Sequence, residues 1–342
     1  MSESAGEREI GEPNVLLGDV GIPRGRGIRL LVALTDDARA PSTTQVAQAL
    51  EHHKGAQPRV LFVIGVSPSV PEAAMVTVEL EESLRDPGRR ALQEAQMRAV
   101  LHLDDGDKST WPFRIEVGNV ASVIVEQSRM CGAEIVVLGL NRHAALGRVI
   151  GRDTVEQVMS HGEVPVLAVS DTLHGLPARI VVAVDFSRAS IRAARLARRL
   201  IDSGGEMQLL FVEPALLAGQ SESSEGLQLI RDRGVDTAFN ELIAELNPDG
   251  SITVNTTVLK GGNPSARIIR FCEDTNPDLI AIGSQRHRFL DRLLLGSTAR
   301  AVVAEAKWSV LITPPMRAVQ DPSTRQSERV SERVSERVAE SS

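Results

Sequence analysis

Between residues 28 and 316 the chain is written twice. Short runs of Val, Ile and Leu fall at residues 28–34, 60–66, 113–117, 135–140 and 164–169, and again at 180–184, 207–212, 252–258, 279–283 and 309–312. They do not alternate apolar with polar residues, which is the pattern of strands buried on both faces of a parallel sheet. Each is followed by a stretch with helical spacing. Subtraction fixes the register. Gly118–Asn119 and Gly262–Asn263, Gly139 and Gly283, Arg142–His143 and Arg286–His287, and Val166–Leu167 and Val310–Leu311 all differ by 144. Thr35 and Asp185 differ by 150, so the second copy is six residues shorter between its first and third strands. A duplicated five-strand βα unit predicts an α/β fold class: two tandem open parallel five-stranded sheets with helices on both faces.

Local chemistry agrees with the helix assignments. Ala193, Leu196, Ala197, Leu200 and Ile201 make an apolar stripe at helical spacing, and Arg192, Arg195, Arg198 and Arg199 are expected to form its solvated face. Asn263 followed by Pro264 reads as an N-cap and a first-turn proline, with Ile268, Ile269 and Cys272 turned inward; Asn119 caps the matching helix of the first copy. The chain therefore divides into an N-terminal extension (1–27), a first domain (28–171), a linker (172–177), a second domain (178–316) and a tail (317–342). The tail repeats Ser-Glu-Arg-Val three times over residues 327–338, and both ends are expected to be disordered for want of apolar surface. The last strand of each copy is a candidate edge. It is expected to pair with its counterpart about a two-fold axis, either within the chain as a pseudo-dimer or between chains as a homodimer.

Composition removes several classes of function. With 38 Lys+Arg against 45 Asp+Glu, a net charge of −7, 3% aromatics and no Tyr, the chain lacks the basic surface and stacking residues of a nucleic-acid binder. Its only lysines are Lys54, Lys108, Lys260 and Lys307, so catalytic amines are scarce. Cys131 and Cys272 lie in different copies without Cys or His at ligand spacing, so no metal site is expected and both read as small buried helix residues. The N-terminus is acidic where a leader peptide is basic and apolar, and no run approaches the ~18 apolar residues of a membrane span. The cytoplasm is the expected compartment. Gly-Lys-Ser/Thr and Gly-x-Ser-x-Gly are absent, and Gly25-Arg26-Gly27 precedes a strand where a dinucleotide turn must follow one. No nucleophile, base and metal come together, so no catalytic residue is assigned and no turnover is expected.

Ligands of open parallel sheets bind beyond the carboxyl ends of the strands. In the second copy, strand one runs into Asp185, and strand four ends at Ile282-Gly283, followed after a gap by Gly296-Ser297-Thr298 at a helix start. A carboxylate at a strand end accepts hydrogen bonds from ribose hydroxyls or a base amine, and Gly-Ser-Thr at a helix start offers N–H and hydroxyl groups to phosphates. Residues alone imply an anion and a polar ring.

This arrangement resembles the universal stress protein family, in particular its tandem two-domain members, over residues 28 to 315. The family's nucleotide-binding form has an Asp after strand one and, after strand four, Gly, two residues, Gly, nine residues and Gly-Ser or Gly-Thr. Asp185, Gly283, Gly296, Ser297 and Thr298 match at the right spacing, while Arg286 stands at the second glycine. The resemblance implies ATP or a related adenine nucleotide: Gly283 and Gly296 allowing close approach, Ser297 and Thr298 gripping phosphates, Asp185 taking the ribose, and Ala183, Val212 and Ile282 walling the base. Arg286 either fills the space that the phosphate needs or pairs with the phosphate or a partner's carboxylate. In the first copy Thr35 replaces Asp185, Arg152-Asp153 replaces Gly296-Ser297, and Asp153 with Glu156 reads as a capping box occupying the same N–H groups. The expected function is nucleotide binding as a stress-response signal. The alternative is a nucleotide-free module for unknown protein partners, its pocket blocked by Arg286.

Overall fold

The computed structural model describes residues 27–34, 41–65, 84–140, 152–213, 234–284 and 296–314. In the first half these are β1 (Arg29–Leu34), α1 (Pro41–Lys54), β2 (Gln57–Gly65), α2 (Pro87–Val100), β3 (Phe113–Gly118), α3 (Val120–Met130), β4 (Ile135–Gly139), α4 (Arg152–His161) and β5 (Val166–Val169). The second half contributes β6 (Arg179–Ala183), α5 (Arg188–Leu200), β7 (Glu206–Glu213), α6 (Val235–Leu246), β8 (Thr253–Lys260), α7 (Pro264–Thr275), β9 (Leu279–Gly283), α8 (Ser297–Glu305) and β10 (Ser309–Thr313). All ten strands form where the apolar runs predicted them. Residues 1–26 of the N-terminal extension and the whole tail lie outside the described residues.

Each half is an open parallel sheet in which its first strand lies between its second and fourth. The halves join edge to edge through β5 and β10, giving one ten-stranded sheet in the order β3-β2-β1-β4-β5-β10-β9-β6-β7-β8. The joint is the one antiparallel pair in that order, with Val166 opposite Ile312, Leu167 opposite Leu311 and Ala168 opposite Val310. Since 167 + 144 = 311, Leu167 faces its own counterpart, and the local two-fold axis of the duplication passes through that pair. The candidate edges thus pair within the chain. Helices follow the same rule, α1 lying beside α5 and α4 beside α8. Across the axis Glu156 Oε2 meets Arg300 Nε at 3.6 Å. These are also counterparts, 156 + 144 = 300, so the duplication has placed opposite charges where two identical subunits would oppose like ones.

Two apolar cores cover the two faces of the sheet, and each crosses the joint. One holds Leu50 and Phe62 together with Leu200 and Phe239. The other holds Ile124 and Val155 together with Ile268 and Val302.

Strand pairing refines the register of the repeat. Val60 lies opposite Phe113, and its counterpart Leu209 lies opposite Thr256, an offset of 256 − 113 = 143 within the strand. The offset becomes 144 from the turn onward because the second copy has an extra residue at Gly261–Gly262, both in the left-handed region at φ 63° and 87°.

The caps at Asn119 and Asn263 form as predicted, accepting from Ser122 N at 3.0 Å and from Ser265 N and Ala266 N at 3.0 and 3.3 Å. The arginines of α5 differ from the expectation of a solvated face. Arg195 pairs with Glu245, Arg198 donates to Leu246 O at 2.8 Å and Ser251 Oγ at 2.7 Å, and Arg199 approaches Glu134 across the joint at 4.0 Å. Burial lowers the pKa of Arg192 and Arg199 below the usual guanidinium range. The helix is covered by α6 on one side and by the other half on the next, which a single helical stripe does not reveal. Cys272 is buried, but Cys131 is the half-exposed C-cap of α3.

Candidate functional site

The carboxyl ends of β6, β9 and β10 and the first turns of α5 and α8 meet in the second half. Asp185 follows β6, and its Oδ1 accepts from Ser187 N at 3.0 Å and Ser187 Oγ at 2.6 Å. Its own N–H faces Ser190 Oγ at 3.3 Å. Between them Phe186 adopts φ 57°, a left-handed conformation that a bulky side chain takes at a cost. Its buried ring is held 5.7 Å from Phe211 and 5.1 Å from Phe239, edge-on to the latter. Packing of three rings thus holds the turn that presents Asp185.

Gly283 ends β9 against the first turn of α5. A Cβ there would lie 2.4 Å from Ser190 N and 2.5 Å from Ala189 C. The backbone of α5 therefore demands this glycine, whatever a ligand requires. One residue on, Ser284 is buried; its N–H donates to Thr313 O at 2.8 Å and its Oγ accepts from Gly296 N at 3.2 Å. Thr313 Oγ1 donates to Ala189 O at 2.8 Å. These bonds lock the start of α8 and the start of α5 to neighbouring strand ends.

Helix α8 begins with Gly296 as N-cap and carries neither a side-chain cap nor an acidic residue in its first turn. Beyond the Gly296 N–H, which Ser284 holds, the N–H groups of Ser297, Thr298 and Ala299 meet no acceptor among the described residues and are open to an external one. Ser297 is exposed and Thr298 half-buried at that end. In the matching α4, Asp153 lies in the first turn, but the capping box is not made: the helix opens one residue earlier, at Arg152, and Glu156 reaches Arg300.

Ala183, Val212 and Ile282 lie at the carboxyl ends of adjacent strands and belong to one core face. Ala183 and Ile282 are paired in register. Cys272 sits in the same core, where burial pushes its thiol up to about 12, out of nucleophilic range. Arg286 and His287 lie outside the described residues, as do Arg142, His143 and Thr35.

Ser187, Ser190, Ser284 and Thr313 hold the site and were not among the predicted residues. A signal existed for two of them. The counterparts of Ser284 and Thr313 at the 144 offset are Leu140 and Val169, both buried and apolar. The second half thus buries polar groups where its sister copy buries hydrocarbon. Among the described residues no His/Cys/Asp/Glu group could hold a metal ion, and no helix is long and apolar enough to cross a membrane.

A family model described as the universal stress protein family matches the chain twice, at residues 29–170 and 178–314. A universal stress protein of Methanocaldococcus jannaschii is 27% identical over 139 residues, covering 39% of this chain and 80% of the relative. Among solved structures, a universal stress protein from Archaeoglobus fulgidus superposes with a TM-score of 0.54 at 19% identity, over 83% of this chain and 98% of its own. A second, from Pseudomonas aeruginosa, gives 0.53 at 15% identity over 84% and 93%. These two share the fold.

Proposed function

Since the chain belongs to the universal stress protein family, we propose that its second half binds one adenine nucleotide, ATP or a close relative, and signals in the stress response by binding, without turnover. The observation that carries this reading is the uncapped first turn of α8, tied through Ser284 to the end of β9, beside the end of β6 where Ser187 steadies the Asp185 carboxylate. In this reading the N–H groups and hydroxyls of Ser297 and Thr298 take the phosphates, with Gly296 leaving the approach open. Asp185 takes the ribose hydroxyls, and Ala183, Val212 and Ile282 form the apolar wall under the base. The backbone turn around Gly283 keeps the two polar ends at fixed separation. Arg286 then acts as a phosphate partner rather than as a plug.

The first half, with Asp153, Leu140 and Val169 at the corresponding places, serves as a structural partner. That difference supplies the test. Ser297→Asp writes the first half's carboxylate into the second, 153 + 144 = 297. A carboxylate at this position leaves the helix as stable or slightly more so, because it complements the dipole. It repels a polyphosphate at close range. ATP affinity measured by titration calorimetry is expected to fall at least tenfold with the unfolding midpoint unchanged. Equal affinity in the variant would remove the α8 terminus from the site.

A further inference from the structure

A separate cavity of about 410 Å³ lies in the first half, at the amino ends of β2 and β3, several strands along the sheet from the nucleotide site and sharing no residue with it. We propose that it binds an amphiphilic organic anion, a carboxylate or phosphate head carried on an aliphatic body.

Its charge comes from three arginines on three elements. Arg59 on β2 lies opposite Leu31 of β1, and Arg114 on β3 lies opposite Leu61 of β2. Side chains alternate along a strand, so Arg59, Leu61, Leu31 and Arg114 share one face. Arg90 comes in from α2 at the rim, and its Nε is fully enclosed without meeting an acceptor. A buried donor in that state is rare in folded proteins, and a ligand oxyanion would satisfy it. Arg114 is paired with Glu116 at 2.9 Å, whereas among the described residues no carboxylate lies within ion-pair distance of Arg59 or Arg90. One carboxylate, Glu94, shares the lining with the three guanidinium groups. In a chain of net charge −7, two such guanidinium groups at one cavity select an anion, and their planar forks suit carboxylate and phosphate alike.

The body of the ligand follows from the rest of the lining. Leu31, Leu61 and Met130 make it largely apolar, Met130 being 65% exposed at the mouth. Phe113 also borders the space, but the Arg98 guanidinium already stands 5.9 Å over its ring. Phe113 is the one aromatic residue in the lining, so a flat base cannot be sandwiched between two rings, which favours an aliphatic chain. The volume falls within the range of about 300–1,000 Å³ typical of small-molecule sites.

The duplication contains its own control. The counterparts of Arg59 and Arg114, by strand pairing, are Gln208 and Thr257. Those two are neutral and satisfy one another, Gln208 Nε2 donating to Thr257 Oγ1 at 3.0 Å. Gln127, which lines the cavity, has Phe271 as counterpart at 127 + 144 = 271, and Phe271 packs against the core. The corresponding strand positions of the second half are uncharged, and a ring stands where the first half has Gln127.

The full-length protein should be titrated calorimetrically with decanoate, decyl phosphate and decanol. At least one of the two anions is expected to bind at one site per chain, and whichever binds tighter identifies the head group. Decanol is expected to bind at least tenfold more weakly than that anion. The Arg59→Met/Arg90→Met double variant is expected to lose at least tenfold in anion affinity, while Gln208→Met loses nothing. The assignment is overturned if neither anion saturates, if decanol binds equally well, or if binding survives the double variant. It is overturned equally if Ser297→Asp abolishes the binding, which would move the anion to the second half. The decanol comparison needs no variant, so it stands even where the double substitution impairs folding.

Discussion

Asp185 shows how much one side chain is asked to do at the edge of a parallel sheet. Its Oδ1 is spent on Ser187, whose two donors fix the turn that an unfavourable φ at Phe186 would otherwise open. Replacing it by Ala removes the proposed ribose acceptor and loosens the turn. ATP binding is expected to weaken by about 1–3 kcal/mol, the range for a lost charge-assisted hydrogen bond, and calorimetry at several temperatures would read it. Gly283 has a simpler role. With Ser190 N at 2.4 Å from a notional Cβ, Gly283→Ala must push α5 off β9, and chemical denaturation is expected to show a loss of about 3 kcal/mol. Gly283 was legible as a required glycine from its match to Gly139, but not the reason, because the neighbour that forbids a side chain comes from a helix almost a hundred residues away in sequence.

Cys272 gives the residue scale a pH dependence. Its thiol is held at about 12 by burial, against about 9.0 in the unfolded chain. The folded state therefore keeps its proton where the unfolded state has lost it. The stabilisation is complete below pH 9 and is lost as pH rises toward 12, by up to about 4 kcal/mol. Unfolding followed across that window should fall more steeply for the native chain than for Cys272→Ala; parallel profiles would place the thiol in contact with water.

At the scale of elements, the duplication was readable from spacing and the charges that specialise it were not. Glu156 and Arg300 are ordinary helix-surface residues until the fold places α4 beside α8. Both remain partly exposed, so their attraction is expected to be worth roughly 0.2–1 kcal/mol. In a double-mutant cycle, Arg300→Glu should destabilise by about that amount and Glu156→Arg/Arg300→Glu should recover it. Failure of the double variant to recover would mean that the pair contributes nothing to the joint. The arginines of α5 teach the same lesson. Periodicity separated them correctly from the apolar stripe, yet it cannot say whether a polar face meets water or a neighbouring carboxylate, since Glu245 and Glu134 lie 50 and 65 residues away in sequence.

The whole molecule has two halves but no independent cores. Both apolar clusters run through the β5–β10 joint, so opening one half exposes apolar surface of the other. Thermal unfolding is expected to be a single transition with equal calorimetric and van't Hoff enthalpies; two resolved transitions would show halves that fold separately. The symmetry was visible in the sequence as a repeat, and its breaking coincides with the two proposed sites: Ser284 and Thr313 against Leu140 and Val169, Ser297 against Asp153, and in the opposite direction Arg59 and Arg114 against Gln208 and Thr257. A repeat whose copies diverge in this way should carry one nucleotide, not two. The number of ATP molecules bound per chain, measured by titration calorimetry with magnesium on protein shown by mass spectrometry to be nucleotide-free, tests this directly. One site per chain, weakened by Ser297→Asp, is the expected result; two equivalent sites, or none, would contradict it.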